Sequence, residues 1–175
     1  MFNADDITFF GLSSGASLAQ NICLHILEKD MNLPMSKRLI MHSPTFRIPP
    51  TKEQVKEMER IDKFDCIIPA CYMKEQDQVM QRINLNNVEY MKSPIEYSWK
   101  GLPDMYIIYG SYEVLIAELP EAKEKSKMDG VVMKTYIGER MMHTWAAAGF
   151  LPEAKEVRSN IYAVIRGDKD DSFLL

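Results

Sequence analysis

Ser13 stands at the centre of a G-x-S-x-G pentapeptide made by Gly11, Leu12, Ser13, Ser14 and Gly15. Between a strand and a helix, this pattern is typical of a sharp turn on which a serine hydroxyl projects from the top of a sheet as a nucleophile. Gly11 and Gly15 would let the backbone pass close to its neighbours, and free N–H groups at the start of the helix would face developing negative charge. The pentapeptide therefore predicts a nucleophile elbow. The alternative is a glycine-serine turn that only caps a helix.

A serine hydroxyl is a weak nucleophile until a base takes its proton, and the chain has three histidines. His25 falls inside a helical pattern, where a packed or surface histidine is the simpler interpretation. His42 ends a predicted strand, where a structural role is favoured over lining a pocket. His143 follows the last predicted strand, which is where the base lies when the chain order is serine, acid, histidine. His143 is therefore the predicted base for Ser13.

A carboxylate has to orient the histidine, and four acidic residues compete for that role. Glu113 follows directly after the third predicted strand, in the loop where the acid of such a site belongs. Glu118 lies more than a helical turn further on, Asp104 precedes the strand at the opposite end of the sheet, and Glu139 is interpreted as a surface charge. Glu113 is therefore the predicted acid, and the alternative is a first-turn glutamate favoured by the helix dipole.

The elements that would position these residues alternate along the chain. Short apolar runs bounded by turn residues predict four buried strands, at 7–10, 38–42, 105–109 and 131–136. Apolar residues spaced by three or four, with caps and flanking prolines, predict five helices, at 16–29, 51–60, 76–83, 114–128 and 152–165. Strands that alternate with helices predict an α/β fold, a mostly parallel sheet between two helical layers. We find no repeat and no linker, so residues 1–175 are expected to form one domain, with 167–175 as a frayed tail.

Composition excludes several classes of protein. The net charge is −4 and the basic residues form no cluster, which argues against a nucleic-acid partner. No apolar run reaches the length of a membrane span, and the first six residues do not resemble a secretory signal. Three cysteines, an odd number, favour reduced thiols and a cytoplasmic location. A disulfide between Cys66 and Cys71 is the less favoured alternative. No metal or organic cofactor is implied.

Three segments resemble the hormone-sensitive-lipase-like branch of the α/β-hydrolases, the group of acetylesterases and carboxylesterases. Residues 7–19 (ITFFGLSSGASLA) are similar to its elbow, where an Asp often stands at Leu12. Residues 102–105 and 110–115 (LPDM and GSYEVL) resemble its acid loop, which carries Asp in some members and Glu in others. Residues 142–145 (MHTW), followed by 151–154 (LPEA), resemble its histidine loop and last helix. The resemblance covers most of the chain in the correct order.

This resemblance implies an α/β-hydrolase fold and a carboxylic ester hydrolase that works through an acyl-enzyme. Ser13 would be the nucleophile, Glu113 the acid and His143 the base, with the Ser14 N–H in the oxyanion hole. It also implies a small-molecule ester with a short acyl chain as substrate, without a metal or cofactor.

The chain departs from the family at its start. Members of the family carry a long preceding part that supplies a cap, the first strands and a His-Gly-Gly loop with half of the oxyanion hole. This chain begins one strand before the elbow, so we expect strand 7–10 at an edge of the sheet, bare and apolar. A truncated reading frame, a fragment, and a completing chain or second copy paired through this edge are all consistent with the sequence.

Two other functions stay open beside ester hydrolysis. An amide or peptide hydrolase shares the same elbow and triad. A catalytically impaired remnant, lacking part of the oxyanion hole, would instead act as an interaction module through its bare edge.

Overall fold

A parallel four-stranded sheet forms the centre of the computed structural model, which describes residues 3, 6–83 and 88–167. The strands are β1 (Thr8–Leu12), β2 (Arg38–His42), β3 (Asp104–Gly110) and β4 (Met133–Gly138), and their order in the sheet is their order in the chain. All three pairings are parallel, with Thr8 opposite Arg38 and Arg38 opposite Asp104. The predicted α/β fold with a parallel sheet is confirmed. The frayed tail predicted at 167–175 lies outside the described residues, except for Gly167.

Five α-helices connect and follow the strands: α1 (Ser14–Glu28), α2 (Lys52–Ile61), α3 (Ala70–Gln81), α4 (Leu119–Asp129) and α5 (Pro152–Arg166). Four short 3₁₀ turns complete the described elements, at Glu89–Met91, Pro94–Glu96, Val114–Glu118 and Trp145–Ala147. The helix bounds agree with the sequence for α2 and α5 to within one residue. Prolines at the first turns of α4 and α5 fit positions whose N–H groups have no helical partner.

Several predicted boundaries differ from the structure by two residues or more. Strand β1 continues through Gly11 to Leu12 rather than ending at 10, and α1 begins at Ser14 rather than at 16. Helix α3 starts at Ala70 rather than near 76, because the Asp62 carboxylate accepts the Ala70 N–H and opens the helix just after Pro69. The helix predicted from 114 starts as a 3₁₀ turn and becomes α-helical at Leu119, since Pro120 lacks the N–H that would continue a helix from before it. Strand β4 starts at Met133, two residues after the predicted start at 131, because the Val131 N–H still donates to the Ser126 carbonyl of α4.

The sheet is covered on both faces, as its sequence pattern predicts. Side chains alternate along β2, so that Leu39 and Met41 pack with α1 to α4 while Ile40 packs with α5. Trp99 and Trp145 are fully buried and belong one to each of these two cores. The sheet therefore holds the loops after its four strands at one common end, where ligand sites of such sheets occur.

Strand β1 lies at an edge of the described sheet, as predicted. It hydrogen-bonds to β2 on one side and pairs with no described strand on the other. Phe10 and Leu12 are 44% and 37% exposed on it, and with Tyr162 of α5 they line a shallow apolar groove of about 230 Å³. We call these three side chains and the unpaired side of β1 the β1 edge.

The cysteine side chains are all free thiols. Cys23 is buried, whereas Cys66 and Cys71 are exposed and do not form the disulfide considered as an alternative. None of the described helices combines the length and the apolar character that a membrane crossing requires.

Candidate active site

Ser13 forms a strained turn between β1 and α1. Its backbone has φ 52° and ψ −123°, a region that side-chain-bearing residues rarely occupy. The Ser13 N–H donates to the His42 carbonyl at 2.8 Å, and the Ser13 carbonyl accepts from the Ala16 N–H at 2.9 Å. These bonds stabilise the unusual conformation, in which the hydroxyl stands at the carboxyl end of the sheet.

The two elbow glycines have different surroundings. A Cβ added to Gly11 would lie 2.3 Å from the Gly15 carbonyl oxygen and 2.5 Å from the Ala16 nitrogen, so the turn closes only without a side chain there. A Cβ at Gly15 would meet no atom within 4 Å. The close approach expected at both glycines is therefore found at Gly11 but not at Gly15 in the described chain.

The His143 ring contacts the Ser13 hydroxyl directly. His143 Nε2 lies 2.9 Å from Ser13 Oγ, and the histidine is 3% exposed. Its loop follows β4 and folds tightly, with positive φ at Arg140 and Thr144. This distance is within the range needed for a base to take a proton from a serine.

The Glu113 carboxylate lies behind the ring and is completely buried. Its Oε1 is 3.6 Å from His143 Nδ1, an ion-pair contact slightly longer than a hydrogen bond. Neither atom has a hydrogen-bond partner among the described residues, so each is left to face the other. Its Oε2 accepts the Gly110 N–H at 2.9 Å and the Ser43 hydroxyl at 2.8 Å. Burial raises the pKa of Glu113, and the contacts with His143, Gly110 and Ser43 oppose that rise.

None of the competing carboxylates meets the ring. Glu118 is buried, accepts the backbone N–H groups of Phe46 and Arg47, and has its pKa raised to about 8 chiefly by burial. Asp104 begins β3 at the opposite end of the sheet, and Glu139 is an exposed loop residue. Glu113 is thus the carboxylate that the structure brings to His143.

Of the other two histidines, His42 is a packed residue that also lines the groove beside β1. His42 is 1% exposed and meets the Trp145 ring edge-on at 6.2 Å between centroids. Burial, followed by the nearby His143, lowers its pKa to about 3, so His42 is neutral at physiological pH. His25 contacts the Tyr90 hydroxyl on the surface of α1.

A cavity of about 320 Å³ opens beside Ser13 and Ser14. Its wall is mostly apolar and includes Met73, Met80 and Leu115. Ser14 is the first residue of α1, and its N–H makes no hydrogen bond to any described residue. The cavity therefore places an apolar binding volume, a serine hydroxyl and one available N–H side by side.

Two buried residues of the site were missed by sequence reasoning. Ser43 contacts Glu113, but in the sequence Ser43 and Pro44 carry only the signal of a strand end at 42. Asp65 accepts the Val114 N–H at 2.9 Å and so fixes the segment after Glu113, although it lies in a region without periodic pattern. The available signal for Ser43 was its position directly after a central parallel strand, beside the elbow. The described residues contain no group of three or more metal-ligating side chains.

The chain matches the family model of the α/β-hydrolase fold over residues 1–147, and it belongs to that family. No curated protein matches the sequence.

Solved structures that resemble the chain are esterases and lipases. EstE5, in a crystal soaked with p-nitrophenyl butyrate, is 26% identical with a TM-score of 0.78 over 95% of this chain and 54% of its own. An esterase/lipase from an uncultured bacterium is 26% identical with a TM-score of 0.75 over 95% of this chain and 54% of its own. The hormone-sensitive-lipase homologue EstE7 from a metagenome library is 24% identical with a TM-score of 0.82, over 94% and 55%. The chain therefore spans about half the length of these structures, and its fold is that of the esterase/lipase hydrolases.

Proposed function

We propose that the protein hydrolyses small carboxylic esters through a triad of Ser13, His143 and Glu113. The observation that carries the proposal is the 2.9 Å contact between Ser13 Oγ and His143 Nε2 at a strained strand-to-helix turn. A serine held in this way beside a buried histidine has its base in place. The Glu113 carboxylate on the other side of the ring supplies the third group of the triad.

Each side chain has one role in the proposed reaction. His143 Nε2 takes the Ser13 proton as Oγ attacks the ester carbonyl, and it returns that proton to the leaving alcohol. Water then attacks the acyl-enzyme, again with His143 as base. Glu113 orients the ring through Nδ1 and stabilises its charged form, which requires the carboxylate to be ionised.

Among the described residues, the N–H of Ser14 is the candidate oxyanion donor. By resemblance, a second donor would come from a His-Gly-Gly loop, a sequence that does not occur in residues 1–175. Loss of one such donor raises the barrier by roughly 2.7–4 kcal/mol. We therefore expect the isolated chain to turn over activated esters slowly.

The cavity beside Ser13 supports a small apolar substrate. Its volume of about 320 Å³ and its methionine-rich wall suit a short acyl chain or a small alcohol group. The EstE5 crystal soaked with p-nitrophenyl butyrate supports the same substrate class for this chain.

A second role is favoured by the β1 edge. Unpaired strands with exposed apolar side chains readily pair with another chain, and Phe10, Leu12 and Tyr162 present such a surface. We propose that a completing polypeptide or a second copy binds there. If the site is too impaired to catalyse, this binding would be the remaining function of the chain.

The test compares p-nitrophenyl butyrate with the corresponding p-nitroanilide for the purified chain, its Ser13→Ala variant and a matched control. Ser98→Ala is the control, because Ser98 is an exposed serine before the amino end of β3, away from the site. We expect slow ester turnover that Ser13→Ala abolishes and Ser98→Ala retains, and no amide turnover. Preferential amide turnover would favour the amide hydrolase. Equal background rates for all three proteins would contradict hydrolysis by this chain and favour the interaction role.

A further inference from the structure

Ser43, the first residue after β2, is a buried serine between the loops of the proposed acid and base. Its Oγ donates to Glu113 Oε2 at 2.8 Å and accepts the Thr144 N–H at 3.1 Å. A serine hydroxyl has one proton to donate and lone pairs to accept, so both bonds can exist at once. Thr144 follows His143 in the chain. The Ser43 hydroxyl therefore connects the carboxylate of Glu113 to the backbone next to His143.

The backbone at Ser43 is also fixed by hydrogen bonds. Its φ is 54°, a conformation that costs free energy for a residue with a side chain. The Ser43 N–H donates to the Ile108 carbonyl at 2.8 Å, and the next carbonyl, of Pro44, accepts the Tyr109 hydroxyl at 2.7 Å. These bonds to β3 keep the Ser43 hydroxyl directed at the Glu113 carboxylate.

The contact also decides which oxygen of Glu113 faces the histidine. Both donors to the carboxylate, the Gly110 N–H and the Ser43 hydroxyl, bind Oε2. Oε1 is thereby left for His143 Nδ1, 3.6 Å away. Without the hydroxyl, Glu113 would keep one donor and gain rotational freedom about its last bond.

We propose that Ser43 is a positioning residue that holds Glu113 ionised and in register with His143, a role that rests on the function proposed above. Hydrogen bonds to charged groups are stronger than neutral ones. Removal of the Ser43 hydroxyl therefore makes the buried carboxylate harder to ionise and releases the Thr144 N–H.

The chain offers a matched control in Ser111. Its Oγ accepts the Arg140 N–H at 2.7 Å, so it also ties the loop after β3 to the histidine loop. Ser111 makes no hydrogen bond to Glu113 among the described residues. Ser111→Ala therefore removes a serine hydrogen bond between the loop of Glu113 and the loop of His143, without removing a donor to the carboxylate.

The first measurement is the titration of the Glu113 carboxyl carbon by ¹³C NMR in the full chain, assigned by its loss in Glu113→Gln. We expect Ser43→Ala and Ser43→Gly to move the Glu113 midpoint to higher pH, and Ser111→Ala to leave it in place. Glycine suits the positive φ, so agreement between the two Ser43 variants assigns the effect to the hydroxyl rather than to backbone strain. An unmoved midpoint in both Ser43 variants, or an equal shift in Ser111→Ala, would overturn the proposal.

The second measurement is the rate at which an alkyl fluorophosphonate labels Ser13 across pH. At pH 7 we expect both Ser43 variants to react about tenfold more slowly, from the strength of a hydrogen bond to a charged group, and to recover as pH rises. Normal labelling with an unmoved Glu113 midpoint would refute the role of Ser43 and leave the proposed function standing. A moved midpoint with no labelling of any protein, wild type included, would refute the proposed function and retain the Ser43 contact.

Discussion

Gly11→Ala should break the elbow, whereas Gly15→Ala should leave it intact. The new Cβ at Gly11 would lie 2.3 Å from the Gly15 oxygen, and real Cβ atoms are essentially never found within 3.0 Å of such a neighbour. The backbone must therefore open by about 0.7 Å at the residue that precedes the nucleophile by two positions. Overpacking of this kind costs about 1–3 kcal/mol of stability. A misplacement near 1 Å at a reacting centre can lower its rate about 100-fold.

Gly15→Ala is the matched control for this prediction. Its Cβ would meet nothing within 4 Å, and Gly15 is the second residue of α1, where alanine favours a helix by up to about 1 kcal/mol. The assay is urea unfolding followed by circular dichroism, with labelling of Ser13 as the functional readout. We expect a lower midpoint and slow labelling for Gly11→Ala, and an equal or higher midpoint for Gly15→Ala. Equal destabilisation by both substitutions would refute the reasoning, because it would mean that another surface covers Gly15 in solution.

Three further substitutions test separate parts of the structure. Glu113→Gln keeps the shape of the acid but not its charge, so fluorophosphonate labelling of Ser13 should slow by about 10⁴-fold. Labelling within tenfold of wild type would contradict its role. Burial raises the pKa of Glu118 in the folded protein to about 8, against an ordinary value of 4.5. Between these two pH values Glu118 is protonated in the folded protein and ionised in the unfolded one. Its contribution to stability is then present below pH 4.5 and falls by up to about 1.4 kcal/mol per pH unit above it. Urea titrations at pH 5, 6 and 7 should show that Glu118→Gln removes this part of the decline, and parallel declines in both proteins would contradict the assignment. Phe10→Lys places a charge on the β1 edge and should therefore reduce concentration-dependent association in sedimentation velocity. The control is Phe150→Lys, in the loop before α5 at a side chain that is 80% exposed, and it should leave association unchanged. Equal effects of the two substitutions would show that association does not use the β1 edge.

The sheet and the candidate triad were accessible to sequence reasoning because both depend on short local signals. An apolar run of four or five residues between turn residues specifies a buried strand, and β2 begins and ends where its pattern does. The loops that follow parallel strands meet at one end of the sheet, so the order Ser13, Glu113, His143 was enough to predict that they converge. The geometry agrees with that prediction, with His143 between the other two side chains.

The features that sequence reasoning missed depend on contacts between segments that are distant in the chain. Ser43 meets Glu113 across 70 positions of sequence, and no local pattern marks a serine that donates to a carboxylate. Helix α3 begins at Ala70 because of the Asp62 carboxylate, which a search for apolar periodicity does not detect. The open space beside Gly15 was not predicted either, because the expectation came from the elbow pattern and not from the neighbours that are present.

The most direct test of the account is to locate the covalent adduct formed when the folded chain is treated with an alkyl fluorophosphonate. Intact mass and peptide mapping should show one phosphonyl group, on Ser13, because among the serines that the structure describes only Ser13 has its hydroxyl hydrogen-bonded to a histidine. The adduct should be lost in Ser13→Ala, strongly reduced in His143→Ala and absent when the chain is first unfolded in urea. No adduct on Ser13 in the folded protein, or the same labelling after unfolding, would contradict the claim that Ser13, His143 and Glu113 form a working triad.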